Sequence, residues 1–470
     1  MKRSLLLTAL LLSACAQPLP PRTDGPALSS EWRHGPASTP PSASSGTSAA
    51  TAWWASFNDP ELNRLEALAL DQNLDVQQAL SRLEQSRASF HLSEVNLLPN
   101  VGLDATAGQV EQSLNSGLGV LSKMIPNFPR TVDRYQLGLS GSWDLDFAGS
   151  LKRQREAAKA TVMATQNDLQ SLQISITAEV ADAYFLMLGA AGQKAALEHQ
   201  LALLNSQFKV LKAREKTGTA TRQELYQFEA GLEELASNLP NLASAIESQQ
   251  VRIAVLLGQN PSAWRVAAPT AVLNQPVPDP VGPSPVALIR SRPDVLAAEQ
   301  RLKASGARVA ASLAEYYPKV SLIAAFGQDS NVFSTFDSSR SAFGQTLLGF
   351  KWRLFDFGRI DAEVKVARGK EQEALLAYRL AVLRAVGEVE TGFTQLAANR
   401  EQLQRLAAKQ KSLEKALGVT QRAYLTGAAS EEDVLQAQLA VVRVTPQLVQ
   451  SQREVARAIV AAARALGGPL

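Results

Sequence analysis

The chain has 470 residues and nearly balanced charge, 47 Lys and Arg against 44 Asp and Glu. The charges are interspersed without a basic stripe, which argues against nucleic acid as a partner. His34, His91 and His199 lie far apart, Cys15 is the single cysteine, and no glycine-rich phosphate loop or Ser-His-Asp arrangement is present, so neither a metal site, a cofactor nor an enzyme is expected.

In chain order, Met1-Lys2-Arg3 precedes an apolar run from Leu5 to Leu12 and then Ser13-Ala14-Cys15. A charged start, an apolar middle too short to cross a bilayer and a small-residue end predict a secretory signal over residues 1–14. Leu12-Ser13-Ala14-Cys15 resembles the lipobox of bacterial lipoproteins, which implies cleavage before Cys15 and acylation of that residue. An ordinary signal peptide with an incidental cysteine is the alternative. Ala16 follows, where aspartate would point to retention in the inner membrane, so the outer membrane is expected, with multiple acyl chains holding the N-terminus to a leaflet. Residues 15–52 are rich in Pro, Ser, Ala and Thr and predict a mobile tether.

From there the chain is written twice. Asp75-Val76, Ala79, Arg82-Leu83, Pro99, Val101, Leu103 and Gly108 recur 219 residues later as Asp294-Val295, Ala298, Arg301-Leu302, Pro318, Val320, Leu322 and Gly327. Trp143, Gly149, Thr217-Gly218 and Gly258 recur 209 residues later as Trp352, Gly358, Thr426-Gly427 and Gly467. The missing ten residues lie between Gly327 and Trp352, where a hairpin loop is free to shorten. Two copies are too few for a solenoid. The copies are expected over 53–258 and 286–470, separated by a Pro-rich linker over 259–285.

Each copy contains a predicted β-hairpin. Tyr135, Leu137, Leu139, Gly141, Trp143, Leu145 and Phe147 alternate with polar or small residues, preceded by Val101, Leu103, Ala105 and Ala107 on a first strand. The second copy repeats the pattern with Val320, Leu322, Ala324 and Phe326, then Leu348, Phe350, Trp352 and Leu354. About ten residues suffice for a tilted strand to cross a membrane, although a half-buried soluble sheet gives the same alternation. Four strands cannot close on themselves, so a spanning sheet needs several chains: two give eight strands, and three give twelve with a water-filled lumen. Asp104, Asp144, Asp146, Lys351 and Arg353 are expected on the inward face.

Behind each hairpin, proline-free helical periodicity runs from Gly149 to about Glu215 and from Gly358 to about Tyr424. Each stretch predicts a helix of about 100 Å, which demands a coiled-coil or tubular setting. Glycine ends each long helix, and a capping box starts a returning one: Thr221-Arg222-Gln223-Glu224 after the turn Thr217-Gly218-Thr219-Ala220, and Ser430-Glu431-Glu432-Asp433 after Thr426-Gly427-Ala428-Ala429. The returning helices are expected from about Arg222 to Leu257 and Glu431 to Leu466, and the helices preceding the hairpins near Asp75–Leu98 and Asp294–Tyr317. The two shorter helices of a copy together match one long helix, which places the linker as a belt partway along a rod.

Three motifs then carry a resemblance: Trp53-Trp54-Ala55-Ser56-Phe57-Asn58-Asp59-Pro60-Glu61-Leu62, Leu288-Ile289-Arg290-Ser291-Arg292-Pro293-Asp294-Val295, and Trp352-Arg353-Leu354-Phe355-Asp356-Phe357-Gly358-Arg359. In this order, on a duplicated plan, the chain resembles the TolC/OprM-type outer-membrane factors, in their lipoprotein, NodT-like branch. The resemblance covers nearly everything after Cys15. It implies a homotrimer with a twelve-stranded β-barrel and a periplasmic α-helical tunnel, working as the exit duct of a tripartite efflux system with an inner-membrane transporter and a periplasmic adaptor. The adaptor-docking tip would then be Thr217, Gly218, Thr219, Ala220, Thr426, Gly427, Ala428 and Ala429, although tight-turn chemistry accounts for the same residues. Relatives often carry an acid just after the second turn's glycine, where this chain has Ala428 and Ala429. Glu431, Glu432 and Asp433 are the nearest gate candidates, with helix capping as their alternative role. A duct for protein secretion and a non-channel envelope spacer are the competing readings.

Overall fold

The computed structural model describes residues 31–33, 53–115, 117–266 and 284–468. The signal segment, Cys15, most of the tether and most of the Pro-rich linker lie outside the described residues. Two compact units emerge among the described residues, and each takes part of both copies: the first comprises residues 83–115, 117–164 and 298–377, the second 31–33, 53–82, 165–266, 284–297 and 378–468.

The first unit is organised on one antiparallel sheet of order β1-β2-β3-β4, with β1 Asn100–Glu111, β2 Thr131–Asp144, β3 Lys319–Ser330 and β4 Ala342–Lys351. β1 with β2 and β3 with β4 are the two expected hairpins, and β2 with β3 joins the copies. The first hairpin's connection, residues 112–130, includes a helical turn, α3, Leu121–Met124; the second, 331–341, is shorter, where the repeat arithmetic placed the deletion. The strands end sooner than the alternation suggests. Leu145 retains one ladder bond, N to Val320 O at 3.0 Å, but Phe147, Trp352 and Leu354 fall past the strands. The cause is local: Asp146 and Phe357 take positive φ (44° and 54°), as do Gly149 and Gly358 (75° and 84°), which turns the chain out of the sheet and into a helix.

Two helices precede the hairpins, α2 Leu74–Val95 and α8 Pro293–Leu313, and two long ones follow, α4 Ser150–Lys216 and α9 Arg359–Leu425, each of 67 residues. Within the first unit the start of α4 is fastened to α2, because Arg155 bonds Glu94 at 2.8 Å and lies 5.5 Å over the Phe90 ring. Trp143 donates to Leu97 O at 2.9 Å and Trp352 to Tyr316 O at 3.0 Å, so the duplicated tryptophans hold duplicated helix ends.

The second unit contains α1 Pro60–Gln72, the returning helices α5 Arg222–Ala236, α6 Asn238–Leu256 and α10 Glu431–Ala465, and the short α7 Pro285–Ser291. Pro285, expected to end the linker, is already the first residue of α7, where its missing N–H costs nothing. The first returning helix is broken at Ser237; its counterpart, residue 446, is the proline inside α10. Proline chemistry marks both places, since Pro240 and Pro446 lack the N–H that Ala236 O and Val442 O would accept; the first helix breaks there, and α10 runs on through its proline.

Two of the sequence motifs gain a physical meaning here. In the first, Trp53 donates to Thr177 Oγ1 at 3.4 Å, and Asp59 caps α1 through Glu61 N (2.9 Å) and Leu62 N (3.2 Å) while accepting from the buried Tyr184 hydroxyl at 2.9 Å. In the second, Arg292 donates to Ala465 O at 2.8 Å, to Ala385 O at 3.2 Å and to both oxygens of Asp294, and contacts Glu388. Asn73, its counterpart in the first copy, donates to Leu256 O at 2.7 Å, and Leu256 is the counterpart of Ala465. Each copy therefore closes the last turn of its returning helix, where carbonyls lack helical partners, with a side chain from the residue before its pre-hairpin helix. Asp182 ties α4 to both returning helices, through Arg457 at 2.6 Å and Arg252 at 3.4 Å. Gly189 and Gly192 admit α10 closely, since added Cβ atoms would sit 2.3 Å from Arg453 Cδ and 2.8 Å from Val449 Cγ1.

Candidate functional site

The sheet's pairing sorts its side chains into two faces. One carries Val101, Leu103, Leu139, Trp143, Leu322, Phe326, Leu348 and Phe350, in rows such as Leu103, Leu139, Phe326 and Val320, Phe350. Most of these are more than half exposed, Leu103 at 69% and Leu348 at 70%, which is an apolar surface of a size that calls for an apolar environment. The opposite face carries Asp104, Thr106, Gln136, Ser140, Ser142, Asp144, Ser321, Gln345 and Lys351, interrupted by Ile323, Phe343 and Leu347. β1 pairs only with β2 and β4 only with β3, leaving edges of 12 and 10 residues open among the described residues.

Three of the five expected inward charges stand on that polar face. Asp104 accepts from the Ser140 hydroxyl, and Asp144 and Lys351 stand opposite Ser321 and Lys319. The other two are corrected. Asp146 lies beyond β2 and accepts from Leu151 N and Lys152 N at 2.9 Å each, capping α4. Arg353 lies beyond β4, paired with Glu315 and, at 3.5 Å, with Glu363; Glu315 is also held by Lys319 at 2.7 Å. Both charges are spent on the passage from strand to helix.

At the close approach of β2 and β3, Gly138 faces Gly327. A Cβ on Gly327 would lie 2.2 Å from Leu137 O and 2.5 Å from Gly138 Cα, and the Phe343 ring covers the neighbouring space above Gly138. Gly108, the repeat counterpart of Gly327, has nothing within 4 Å.

In the second unit the two candidate tips are built alike. Gly218 and Gly427 take φ of 73° and 77°; Thr219 N returns to Arg214 O at 2.9 Å and Ala428 N to Ala423 O at 2.8 Å, so both long helices end in glycine-centred caps. The capping boxes are complete: Glu224 N to Thr221 Oγ1 at 3.2 Å with Thr221 N to Glu224 at 2.8 Å, and the same two distances between Asp433 and Ser430. Thr217, Gly218, Thr219, Thr426, Gly427 and Ala428 are exposed, and Ala220 and Ala429 half-buried. The three gate candidates part company. Asp433 completes the capping box of Ser430, its carboxyl held below the usual range by the Ser430 hydroxyl and then the Ser430 backbone N–H. Glu432 bonds Arg214 of α4 at 2.9 Å, and Glu431 adds negative charge at a helix N-terminus.

Sequence reasoning did not single out Glu66, on the buried face of α1 with Leu62, Leu65 and Ala69. It is fully buried with both oxygens unpartnered among the described residues, and burial raises its carboxyl well above the usual range. A lone Glu inside an otherwise apolar helical face was the available signal.

A family model described as outer membrane efflux protein matches residues 65–259 and 285–468, one match on each copy. Among curated proteins, the pyoverdine export outer membrane protein OpmQ of Pseudomonas putida is 30% identical over 469 residues, covering 99% of this chain and 96% of the relative. Outer membrane protein OprJ of Pseudomonas aeruginosa is 28% identical and covers 99% and 95%. Among solved structures, the outer-membrane channel OprN superimposes with a TM-score of 0.77 at 28% identity, over 92% of this chain and 98% of that one.

Proposed function

Because the chain belongs to the outer membrane efflux protein family, we propose that three copies close one duct, the exit of a tripartite system that carries small molecules out of the periplasm. The protein is an outer-membrane efflux channel, reaching from that membrane into the periplasm. One observation supports closure by several copies above all: a four-stranded sheet with an exposed apolar face and two long unpaired edges. A bilayer tolerates no open edge, so β4 of one copy pairs with β1 of the next, a head-to-tail contact that closes into a ring. Twelve strands leave a lumen wide enough for water, and Asp104, Asp144 and Lys351 face it.

The duct performs no bond chemistry. An inner-membrane transporter supplies the energy and a periplasmic adaptor docks on the two turns, Thr217–Ala220 and Thr426–Ala429, whose small side chains let a partner approach the backbone. Glu432 with Arg214 is the gate element of the tip, linking the start of α10 to the end of α4; Asp433 serves the capping box of Ser430. Cys15 carries the acyl anchor, and residues 1–14 are removed.

Two measurements test the reading. Purified protein in planar bilayers gives discrete conductance steps, and deletion of the gene lowers tolerance to toxic small molecules. Absence of conductance favours an envelope spacer. Unchanged tolerance with loss of a secreted polypeptide favours a protein-secretion duct.

A further inference from the structure

The tether was expected to be mobile throughout, yet its described part, residues 31–33, is packed. Trp32 is 8% exposed in a cluster with Leu288, Val389, Phe393, Ala465 and Leu466, its ring edge-on to Phe393 at 6.1 Å between centroids. The next residue is tied as well, Arg33 N donating to Glu390 Oε1 at 2.8 Å.

The duplication identifies this seat. Under the shifts of 219 and 209, Leu288 is the counterpart of Ala69, Val389 of Val180, Phe393 of Tyr184, and Ala465 and Leu466 of Leu256 and Leu257. Val386, which packs against the Trp32 cluster, is the counterpart of Thr177, the partner of Trp53. The cluster that holds Trp32 thus lies, on the second copy, beside the counterpart of the residue that Trp53 bonds on the first. The second copy has no such tryptophan of its own: the positions matching Trp53, Trp54 and Phe57 are Val272, Leu273 and Pro276, and no aromatic residue occurs between Trp264 and Tyr316. Its seat, lined by α7, α9 and α10, is therefore left without an aromatic occupant by its own sequence.

We propose that residues 31–33 are a latch: the N-terminal segment lends the second copy its missing aromatic plug, and in doing so fastens the anchored end of the chain to α7, α9 and α10. An occupied apolar seat excludes water and buries most of an indole, a large contribution for one side chain. Cys15 to Trp32 spans at most about 60 Å fully extended, so an anchor at Cys15 and the seat are held within that reach of each other.

The experiment uses full-length protein in detergent and limited trypsin digestion, read at the bond after Arg33, together with amide hydrogen exchange. Trp32→Ala raises the initial rate of cleavage after Arg33 at least tenfold and speeds exchange around Leu288 and Leu466, with the first copy's counterparts around Ala69 and Leu257 unchanged. Trp32→Phe restores most of the protection, and Phe393→Ala reproduces the loss without touching the tether. Cys15→Ala leaves protection at Arg33 intact, because the seat and not the membrane holds it. Equal cleavage of the wild type and Trp32→Ala, equal acceleration in both copies, or release by Cys15→Ala alone overturns the latch. None of these readouts depends on conductance, so they stand or fall apart from the duct.

Discussion

Arg292→Met keeps an unbranched apolar stem and removes the guanidinium, and its cost can be worked from the contacts of that group. The Arg292 side chain is 8% exposed, whereas its partners Asp294 and Glu388 are 38% and 55% exposed. On losing Arg292 the two carboxylates, both more than a third exposed, rehydrate, so loss of these pairs costs no more than ~1 kcal/mol each. The carbonyls decide the outcome. Ala465 O, in the last turn of α10, loses its donor, and Ala385 O loses a second one in a site closed to water. A buried polar atom left unpaired costs about 1–3 kcal/mol, more for the unshared Ala465 O than for Ala385 O, giving about 3 kcal/mol in all. Local opening is the quantity to measure, because unfolding of a large membrane protein is irreversible. Amides of α7 and the end of α10 should exchange on the order of 100-fold faster, while those around Asn73 and Leu256 in the first copy keep their protection. Arg292→Lys, which keeps the charge and one donor, should lie between. Exchange within threefold of wild type in α7 and α10 would refute the reasoning, as would equal acceleration in both copies.

Gly327→Ala should disrupt the junction of β2 and β3 and lower the yield of assembled protein, at a cost of about 2–4 kcal/mol if two ladder bonds open with local strain, while Gly108→Ala is tolerated; heat-resistant oligomer on gels compares the two. Burial favours the neutral form of the Glu66 carboxyl, so its ionisation opposes folding: the contribution of Glu66 to stability is full below its unfolded pKa, near 4.5, and is lost as pH rises from there toward the raised folded value. Glu66→Gln should therefore raise resistance to thermal inactivation at pH 7.5 and match the wild type at pH 4, and an equal gain at both pH values would contradict the assignment. Glu432→Gln or Arg214→Gln should each raise single-channel conductance only modestly, since their pair is half exposed, with the double charge swap restoring the closed level. Asp433→Ala should instead loosen the first turn of α10 by removing one half of its capping box, read from faster exchange of its first amides.

Much of the fold was legible because it rests on local chemistry. Period-two alternation located all four strands and sorted their faces, and glycine followed by a hydroxyl-acid pair located both tips to within a residue or two. The failures are local as well. Alternation continued through Phe147 and Leu354 while the backbone had already turned at Asp146 and Phe357, because side-chain pattern carries no direct record of φ. Composition marked residues 15–52 as a tether and passed over a single tryptophan, which suffices to fix a segment when a seat exists for it.

What the amino-acid order alone determined is the duplicated plan, the faces of the strands, the helix ends and the family, since each depends on residues within a few positions of one another or on their repetition. What only the tertiary structure decided is which groups meet across hundreds of residues. Arg292 closes the last turn of α10, Trp32 packs against Leu288 and Phe393, Asp433 bonds Ser430 while Glu432 reaches Arg214, and Gly327 admits β2 where Gly108 admits nothing. The two copies began with matching signals, and packing assigned them different partners, because a side chain's cost or benefit is set by the neighbours that exclude water from it.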